Sequence, residues 1–322
     1  MANEYTLADY EAIAPDNLNK AVIRTWREKS PILDMLPFKT DSMLSQRFVR
    51  FNSLPTMAWR KIGEDFTQVK VSPDSVEERV FFMGGKIDVP YEYVKAGGIV
   101  DLRAAQEQAA MEATALQFNT AFFTNTPTDD EDAIVGMWYR LINDFGSGQY
   151  FDANLDISPD TAVTNVAHKF FDTLDQLLSY VDGEPSQKVL FMNRTVWLRA
   201  QSLFRQSNIL DTTQDQLGRT FMTYGKGGPK IIDVGYQRDQ STMILGNVEN
   251  GITALTGGTD SSIYCVRFGE PFVAGWAQDM PMAEDVGITE DRVNYRTVVR
   301  FSPGLYINHP RAVALAYGYT AA

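Results

Sequence analysis

Between Trp59 and Gly85 the chain runs through a stretch too polar to build a core of its own. It reads Trp59-Arg-Lys-Ile-Gly-Glu-Asp-Phe-Thr-Gln-Val-Lys-Val, then a Ser72-Pro73-Asp74-Ser75 turn, then Val76-Glu-Glu-Arg-Val-Phe-Phe up to Gly84-Gly85. Val69 and Val71 alternate with Gln68 and Lys70, which is strand periodicity with one mildly apolar face. A lone two-stranded hairpin is marginal in water and needs another surface to lie on. Carrying such a ribbon makes sense where that surface belongs to a neighbouring copy. The chain reads as a subunit made for assembly, with Trp59, Arg60, Lys61, Phe66, Lys70, Glu77, Glu78 and Arg79 as the expected contact residues.

With 322 residues there is material for two cores of ordinary size, and 44% hydrophobic and 12% aromatic content argue for a globular protein. The net charge of -12, from 41 acidic and 29 basic residues, argues against a nucleic-acid groove, which needs clustered Lys and Arg. It does not argue against a container, because a wall beside packed nucleic acid must avoid sticking to it. Cys265 is the sole cysteine, so no intrachain disulfide can form and synthesis in the cytoplasm is expected. His168 and His309 leave little for a zinc site or for histidine-based catalysis. Met1-Ala-Asn-Glu-Tyr lacks the basic start and apolar run of a signal peptide, and no stretch nears the ~18 continuous apolar residues of a membrane helix. A soluble protein is expected, with no cofactor implied.

Leu18, Val22 and Trp26 fall at helical spacing within an N-terminal segment punctuated by Pro15, Pro31 and Pro37. Gln46-Arg-Phe-Val-Arg-Phe reads as a strand entering the polar arm, and Lys86-Ile-Asp-Val-Pro-Tyr as extended chain. Asp101 can cap the longest helix, Leu102 to Thr124, a rod of ~35 Å at ~1.5 Å per residue. Leu102, Ala105, Ala109, Ala113 and Leu116 line one side of it, small enough to let a sheet come close. Ser158-Pro159-Asp160 reads as a helix start, followed at helical spacing by Val163, Val166, Ala167, Phe170, Phe171, Leu174, Leu177, Leu178 and Val181 and closed by Gly183. Lys188-Val-Leu-Phe-Met is a buried-type strand, and Asn193 caps a helix running to Gln206. Short strands separated by Gly and Asn turns fill residues 230–268. Near the end Tyr295, Thr297, Val299 and Phe301 alternate with Arg296, Val298 and Arg300, and Ser302-Pro-Gly turns the chain into Leu305-Tyr-Ile-Asn.

The chemistry-bearing patterns weigh towards structure. Asp152, Asn154, Asp156, Ser158 and Asp160 place oxygens at alternate positions as a calcium loop does, but Ile157 and Val163 stand where that loop needs Gly and Glu. The stretch is expected to be a solvated loop. Gly225-Lys-Gly-Gly-Pro-Lys230 lacks the spacing of a phosphate loop and reads as a hairpin tip. Asp129-Asp130-Glu131-Asp132 reads as a solvated loop, His309 as packing at a strand end, and His168 as lying on the polar side of its helix. No Gly-x-Ser-x-Gly elbow and no close Cys–His pair supports an enzyme.

The order of elements resembles the major capsid protein family of tailed bacteriophages, whose fold the encapsulin shells share. The resemblance is carried by the arm from Trp59 to Phe82 and by Gly84-Gly-Lys-Ile-Asp-Val-Pro-Tyr-Glu-Tyr, which leads into the helix after Asp101. It continues in Val189-Leu-Phe-Met-Asn-Arg-Thr-Val-Trp and Ser262-Ile-Tyr-Cys-Val-Arg-Phe-Gly. It closes with Tyr295-Arg-Thr-Val-Val-Arg-Phe and Gly304-Leu-Tyr-Ile-Asn-His-Pro-Arg-Ala-Val-Ala. It implies an α+β chain with an N-arm at residues 1–44 and an extended β-hairpin loop at 45–92. A peripheral domain with a long spine helix would follow at 93–136, an axial domain at 137–285 and the peripheral closing strands at 286–322.

The function implied is a structural subunit that self-assembles through pentamers and hexamers into an icosahedral virion shell. That shell would be built in the host cytoplasm and enclose double-stranded DNA without reading its sequence. The extended loop would lie across a neighbour and the N-arm would pack under an adjacent subunit. Portal, scaffolding or decoration proteins are the implied partners, and no membrane is involved. Met1 lies only ~40 residues before the arm strand, so no built-in scaffold is expected. Some relatives weld their shells through a loop lysine and a peripheral asparagine; Lys70 and Asn294 stand nearest those places. Arg300 stands where the proton-accepting glutamate would be needed, so no weld is expected. The alternatives are an encapsulin-like compartment around an enzyme cargo and, from another class, a soluble α+β hydrolase with an unidentified site.

Overall fold

The N-terminal segment folds onto its own subunit. The computed structural model describes residues 5–14, 17–50, 55–66, 68–69, 73–96, 102–159, 165–214, 218–246 and 260–321. Helix α1 (Leu7–Ile13) opens at Thr6, whose backbone N–H and hydroxyl both donate to the Asp9 carboxylate at 2.9 and 2.8 Å. Helix α2 (Asn17–Lys29) turns Val22, Ile23 and Trp26 to one buried face. Helix α3 (Pro31–Met35) starts at Ser30, whose hydroxyl accepts the Leu33 N–H at 3.1 Å. Trp26 meets Phe301 edge-on with ring centres 5.1 Å apart. Strand β1 (Phe38–Thr40) then pairs in parallel with residues 275–277. Leu7, Val22, Trp26, Leu33, Leu36 and Phe38 of this segment are buried in the subunit's own core.

Strands β2 (Ser45–Arg50) and β3 (Asp74–Arg79) form an antiparallel ribbon, with Ser45 opposite Arg79 and Arg50 opposite Asp74. The return leg thus pairs with residues 45–50 and not with 59–71, and Asp74 and Ser75 lie in a strand where a turn was expected. The reason is tertiary. Phe48 stacks flat on Tyr306 at 4.2 Å, a surface that Val69 lacks, being exposed. Lys70, Val71 and Ser72 lie outside the described residues.

Strand β4 (Met83–Pro90) leads through helix α4 (Tyr91–Ala96) to helix α5 (Leu102–Thr124), whose bounds are those expected. Asp101, the expected cap, lies outside the described residues. The buried face of α5 is another one: Met111, Ala115, Phe118, Asn119, Phe122 and Phe123 are buried, while Ala105 and Ala109 are exposed. Three phenylalanines remove far more apolar area from water than a row of alanines does, so they decide the orientation.

Helix α6 (Met137–Arg140) runs into a π-helical turn over Leu141–Phe145, then strand β5 (Tyr150–Asp156) and helix α7 (Val166–Tyr180). Helix α7 begins behind Asn165 in the left-handed region (φ 60) rather than at Ser158-Pro159; Asp160 and Val163 lie outside the described residues. Its face of Phe170, Phe171, Leu174 and Leu177 is buried as expected. Gly183 (φ +106) leaves its Cβ space to the Arg267 guanidinium. Strand β6 (Lys188–Met192) precedes helix α8 (Arg194–Gln206), where the Asn193 side chain accepts the Val196 N–H at 2.8 Å.

Strands β7 (Leu210–Gln214), β8 (Thr220–Tyr224), β9 (Lys230–Asp233), β10 (Asp260–Arg267), β11 (Val273–Ala277), β12 (Met282–Ile288), β13 (Asn294–Phe301), β14 (Pro303–Ile307) and β15 (Val313–Thr320) complete the chain. A seven-stranded sheet has the order β5-β15-β10-β6-β9-β8-β7, and smaller sheets have the orders β12-β13-β4 and β1-β11-β14. The large sheet carries a core on each face. Leu190, Met192 and Cys265 pack with α7 and α8, while Val189, Phe191 and Tyr264 join Trp26, Phe118 and Phe301 on the other side.

Residues 286–322, expected as one set of closing strands, serve three sheets: β13 lies between β12 and β4, β14 beside β11, and β15 between β5 and β10. Ser302-Pro-Gly is no turn, since β14 starts at Pro303. Gly304 is needed because a Cβ there would run into the Trp276 indole.

Candidate functional site

The β2–β3 ribbon lies along β14 and is held there by buried polar contacts. Arg140 grips both carboxylate oxygens of Glu78, with Nη2–Oε2 at 2.8 Å. Arg50 donates through Nε and Nη2 to the Ile307 carbonyl at 3.2 and 2.9 Å, and its guanidinium covers the Phe145 ring at 4.5 Å. Burial lowers the Arg50 pKa; the nearby Arg140 charge acts the same way, and the carboxylates of Asp144 and Glu78 oppose it. Arg79 donates to the Glu131 carbonyl at 2.6 Å and covers the Phe81 ring at 4.9 Å.

Every residue from Thr56 to Phe66 is exposed, including Met57 at 76%, Trp59 at 103%, Ile62 at 105% and Phe66 at 74%. The segment nevertheless has internal order. The Lys61 N–H donates to the Glu64 carboxylate at 3.2 Å, and the Glu64 N–H returns to the Lys61 carbonyl at 3.1 Å. Arg60 donates to the Glu64 carbonyl at 2.9 Å and covers the Phe66 ring at 4.3 Å. Large apolar side chains thus stand in water on a small prefolded turn.

The expected contact residues therefore divide. Trp59, Arg60, Lys61 and Phe66 sit together on the exposed turn, and Lys70 lies outside the described residues. Glu77 faces Arg47 at 3.4 Å on the open side of the ribbon. Glu78 is turned inward on Arg140, and Arg79 is exposed while donating to the Glu131 carbonyl of its own subunit. Sequence reasoning missed Met57 and Ile62 on the turn, although both are apolar residues in the same polar context. It also missed Arg50 and Arg140 beneath the ribbon, for which no local pattern exists.

The other patterns resolve into local structure. Asp152 accepts the Asn154 N–H at 2.9 Å and Asp156 the Ser158 N–H at 2.8 Å, each carboxylate closing its own turn. Among the described residues no group of three or more metal-ligating side chains converges. Gly225 and Gly227, both at positive φ, form the tip between β8 and β9. Cys265 is buried and its thiol pKa is pushed up to about 12. Asn294 opens β13, and Arg300 further along it pairs with Glu284 at 3.4 Å on an exposed face. Among the described residues no helix is long and apolar enough to cross a membrane.

No family profile matches this sequence, and no curated protein matches it. Solved structures do. An encapsulin, in the holo-SrpI complex from Synechococcus elongatus, is 16% identical with a TM-score of 0.57, over 100% of this chain and 97% of its own. The capsid of a native GTA particle is 10% identical with a TM-score of 0.60, over 91% of both chains. A chain of Microbacterium phage Oxtober96 is 14% identical with a TM-score of 0.59, over 90% of both. This is the tailed-phage major capsid protein fold. Its long helix is α5.

Proposed function

We propose that this chain is a structural subunit whose copies close into an icosahedral shell around viral DNA. The carrying observation is the exposed turn. Trp59 and Ile62 are fully in water on an ordered segment that adds nothing to its own core. Covering such a side chain gains about 1.5–3 kcal/mol each, and a prefolded turn has already lost much of its freedom. In a closed shell each modest contact is repeated by symmetry, so the whole is held multivalently.

In this reading β4, β12, β13 and α5 form the peripheral domain, and the seven-stranded sheet with α7 and α8 forms the axial domain, which meets its copies about five- or six-fold axes. The net charge of -12 suits an inner wall facing DNA without binding its sequence. The chain acts by association and not by catalysis, within a virion assembled in the host cytoplasm, and portal, scaffolding or decoration proteins would join it.

The second reading, a protein-cargo compartment, is favoured by the coverage of the encapsulin, which spans the whole of this chain including its N-terminal helices. Negative-stain electron microscopy of the protein expressed alone tests both. Closed particles of uniform diameter are expected, and a population of 36 kDa monomers at every concentration would refute both readings. Nucleic acid inside particles produced during infection supports the first reading, and a protein cargo the second.

A further inference from the structure

Beside α5 lies a cavity of about 370 Å³, open between the start of β4, the C-terminal half of the helix and the loop that follows it. Phe81, Phe118, Ala121, Ile134 and Pro303 give it an apolar lining, and Phe82, 67% exposed, adds an aromatic face that meets water. Asp129, Asp130 and Asp132 also line it, and among the described residues no lysine or arginine does. Arg79, which donates to the Glu131 carbonyl and covers the Phe81 ring, stands outside the lining. Every charge on the cavity wall is therefore negative. Among the described residues none of the three carboxylates has a basic partner; Asp129 accepts the Thr126 hydroxyl at 2.6 Å and Asp130 the Asp132 N–H at 3.0 Å. The loop that carries them is held in shape by Asn125, whose amide donates to the Asp130 and Ile134 carbonyls at 3.1 and 2.9 Å.

We propose that this cavity binds a small amphiphilic cation, an aromatic or alkyl body carrying an ammonium group. The inference goes beyond the shell reading and does not depend on it. Size agrees, since the volume lies near the lower end of the ~300–1,000 Å³ typical of ligand pockets and suits one ring system or a short alkyl chain. The apolar body would cover Phe82 and Phe118, and the ammonium would meet the carboxylates, with the aromatic faces adding cation–π attraction. An anion of the same shape would be repelled, and a neutral one would leave the acidic wall unanswered. A bare metal ion does not fit, because among the described residues no three metal-ligating side chains converge. A protein segment fits less well than a free amine. Its main chain would bring N–H and C=O groups that need partners. The Thr120 and Thr124 hydroxyls already donate to the Leu116 and Thr120 carbonyls at 3.0 and 2.9 Å, and the Asn125 amide is spent on its own loop. An ammonium asks only for the carboxylates.

Tryptamine, with indole-3-propionate as the same ring bearing the opposite charge, tests the site by calorimetric titration of the purified protein. Tryptamine should bind saturably with a Kd below about 1 mM, more weakly as salt rises, and indole-3-propionate should not bind. Neutralising the wall in an Asp129→Asn, Asp130→Asn, Asp132→Asn variant should weaken tryptamine by about fivefold or more, the scale of at least one exposed ion pair. Filling the cavity with Ala121→Trp should abolish binding. Should either variant fail to fold, a diazirine derivative of tryptamine on the wild type reads the same site. Mass spectrometry should then place the label within residues 117–134 and the label should disappear under excess tryptamine. Absence of saturable binding, equal binding of the amine and the acid, or a label placed elsewhere would overturn the proposal. A Lys-Trp-Lys peptide that bound where tryptamine did not would overturn it in favour of a protein segment. None of these outcomes touches the shell reading, which particle formation decides.

Discussion

Arg140, on the short helix after the spine, holds Glu78 of arm strand β3 by both carboxylate oxygens, and both side chains are buried. The pair joins two segments separated by 62 residues and fixes the ribbon against β14, which also receives Arg140 Nη2 at the Leu305 carbonyl (3.4 Å). It is an internal brace at the base of the arm.

Glu78→Ala should destabilise the subunit by about 3–5 kcal/mol, because a buried guanidinium would be left without its counter-charge. Denaturant midpoints of the disassembled subunit measure this. A loss below about 1 kcal/mol would mean that water reaches Arg140 freely. Replacing both residues by apolar ones of similar volume should cost much less than the single change.

The free segment should be dispensable for folding and essential for assembly. Exchanging Thr56–Val69 for a Gly-Ser linker leaves the ribbon and its Arg140 brace intact. Circular dichroism and melting temperature should therefore stay near wild type while particles are lost. A collapsed melting temperature would show that the segment belongs to the core after all.

His309 gives the subunit a pH dependence of defined sign. Its Nδ1 accepts the Arg311 N–H at 3.1 Å, which requires a neutral ring, and it packs on Phe272 with ring centres 5.0 Å apart. Burial lowers its pKa from 6.5, the Asp182 carboxylate opposes this, and Arg311 and Arg267 reinforce it. The folded chain thus resists protonation more than the unfolded one. The His309 contribution is whole above about 6.5 and is lost as pH falls through the lower folded value. Between pH 7 and 5 the wild type should lose more melting temperature than His309→Asn; parallel curves would remove the assignment.

Cys265 should be silent towards alkylating reagents. Burial pushes its thiol pKa up to about 12, so no thiolate is available at pH 8, and the residue lies in β10 between two other strands. Mass spectrometry should find no label on the native subunit and full label in denaturant. Rapid native labelling would mean that the large sheet opens on its own.

What the sequence disclosed was governed by how local each cause is. The bounds of α5 and α8 and the Asn193 cap follow from neighbouring residues and appear as read. The ribbon pairing does not, since β3 takes β2 as partner for the sake of Phe48 on Tyr306, which lies 258 positions away in the chain. Helical spacing in α2 says that Val22 and Trp26 are buried but not against which elements. On the spine helix the alanine row looked like a packing face, yet the aromatic row of Phe118, Phe122 and Phe123 covers more area and took the core. Of the arm, the exposed turn was legible because polar context and large apolar side chains coincide there. The inward turn of Glu78 was not, since a buried charge is recognisable only once Arg140 is seen beside it.

Residues 294–320 thread all three multi-stranded sheets in succession. During synthesis these positions leave the ribosome after every strand they pair with. Until they emerge, the sheet of β12 and β4 lacks its middle strand, the ribbon lacks the Tyr306 ring it rests on, and the large sheet is split between β5 and β10. A chain broken off early therefore presents neither a seated arm nor a finished body.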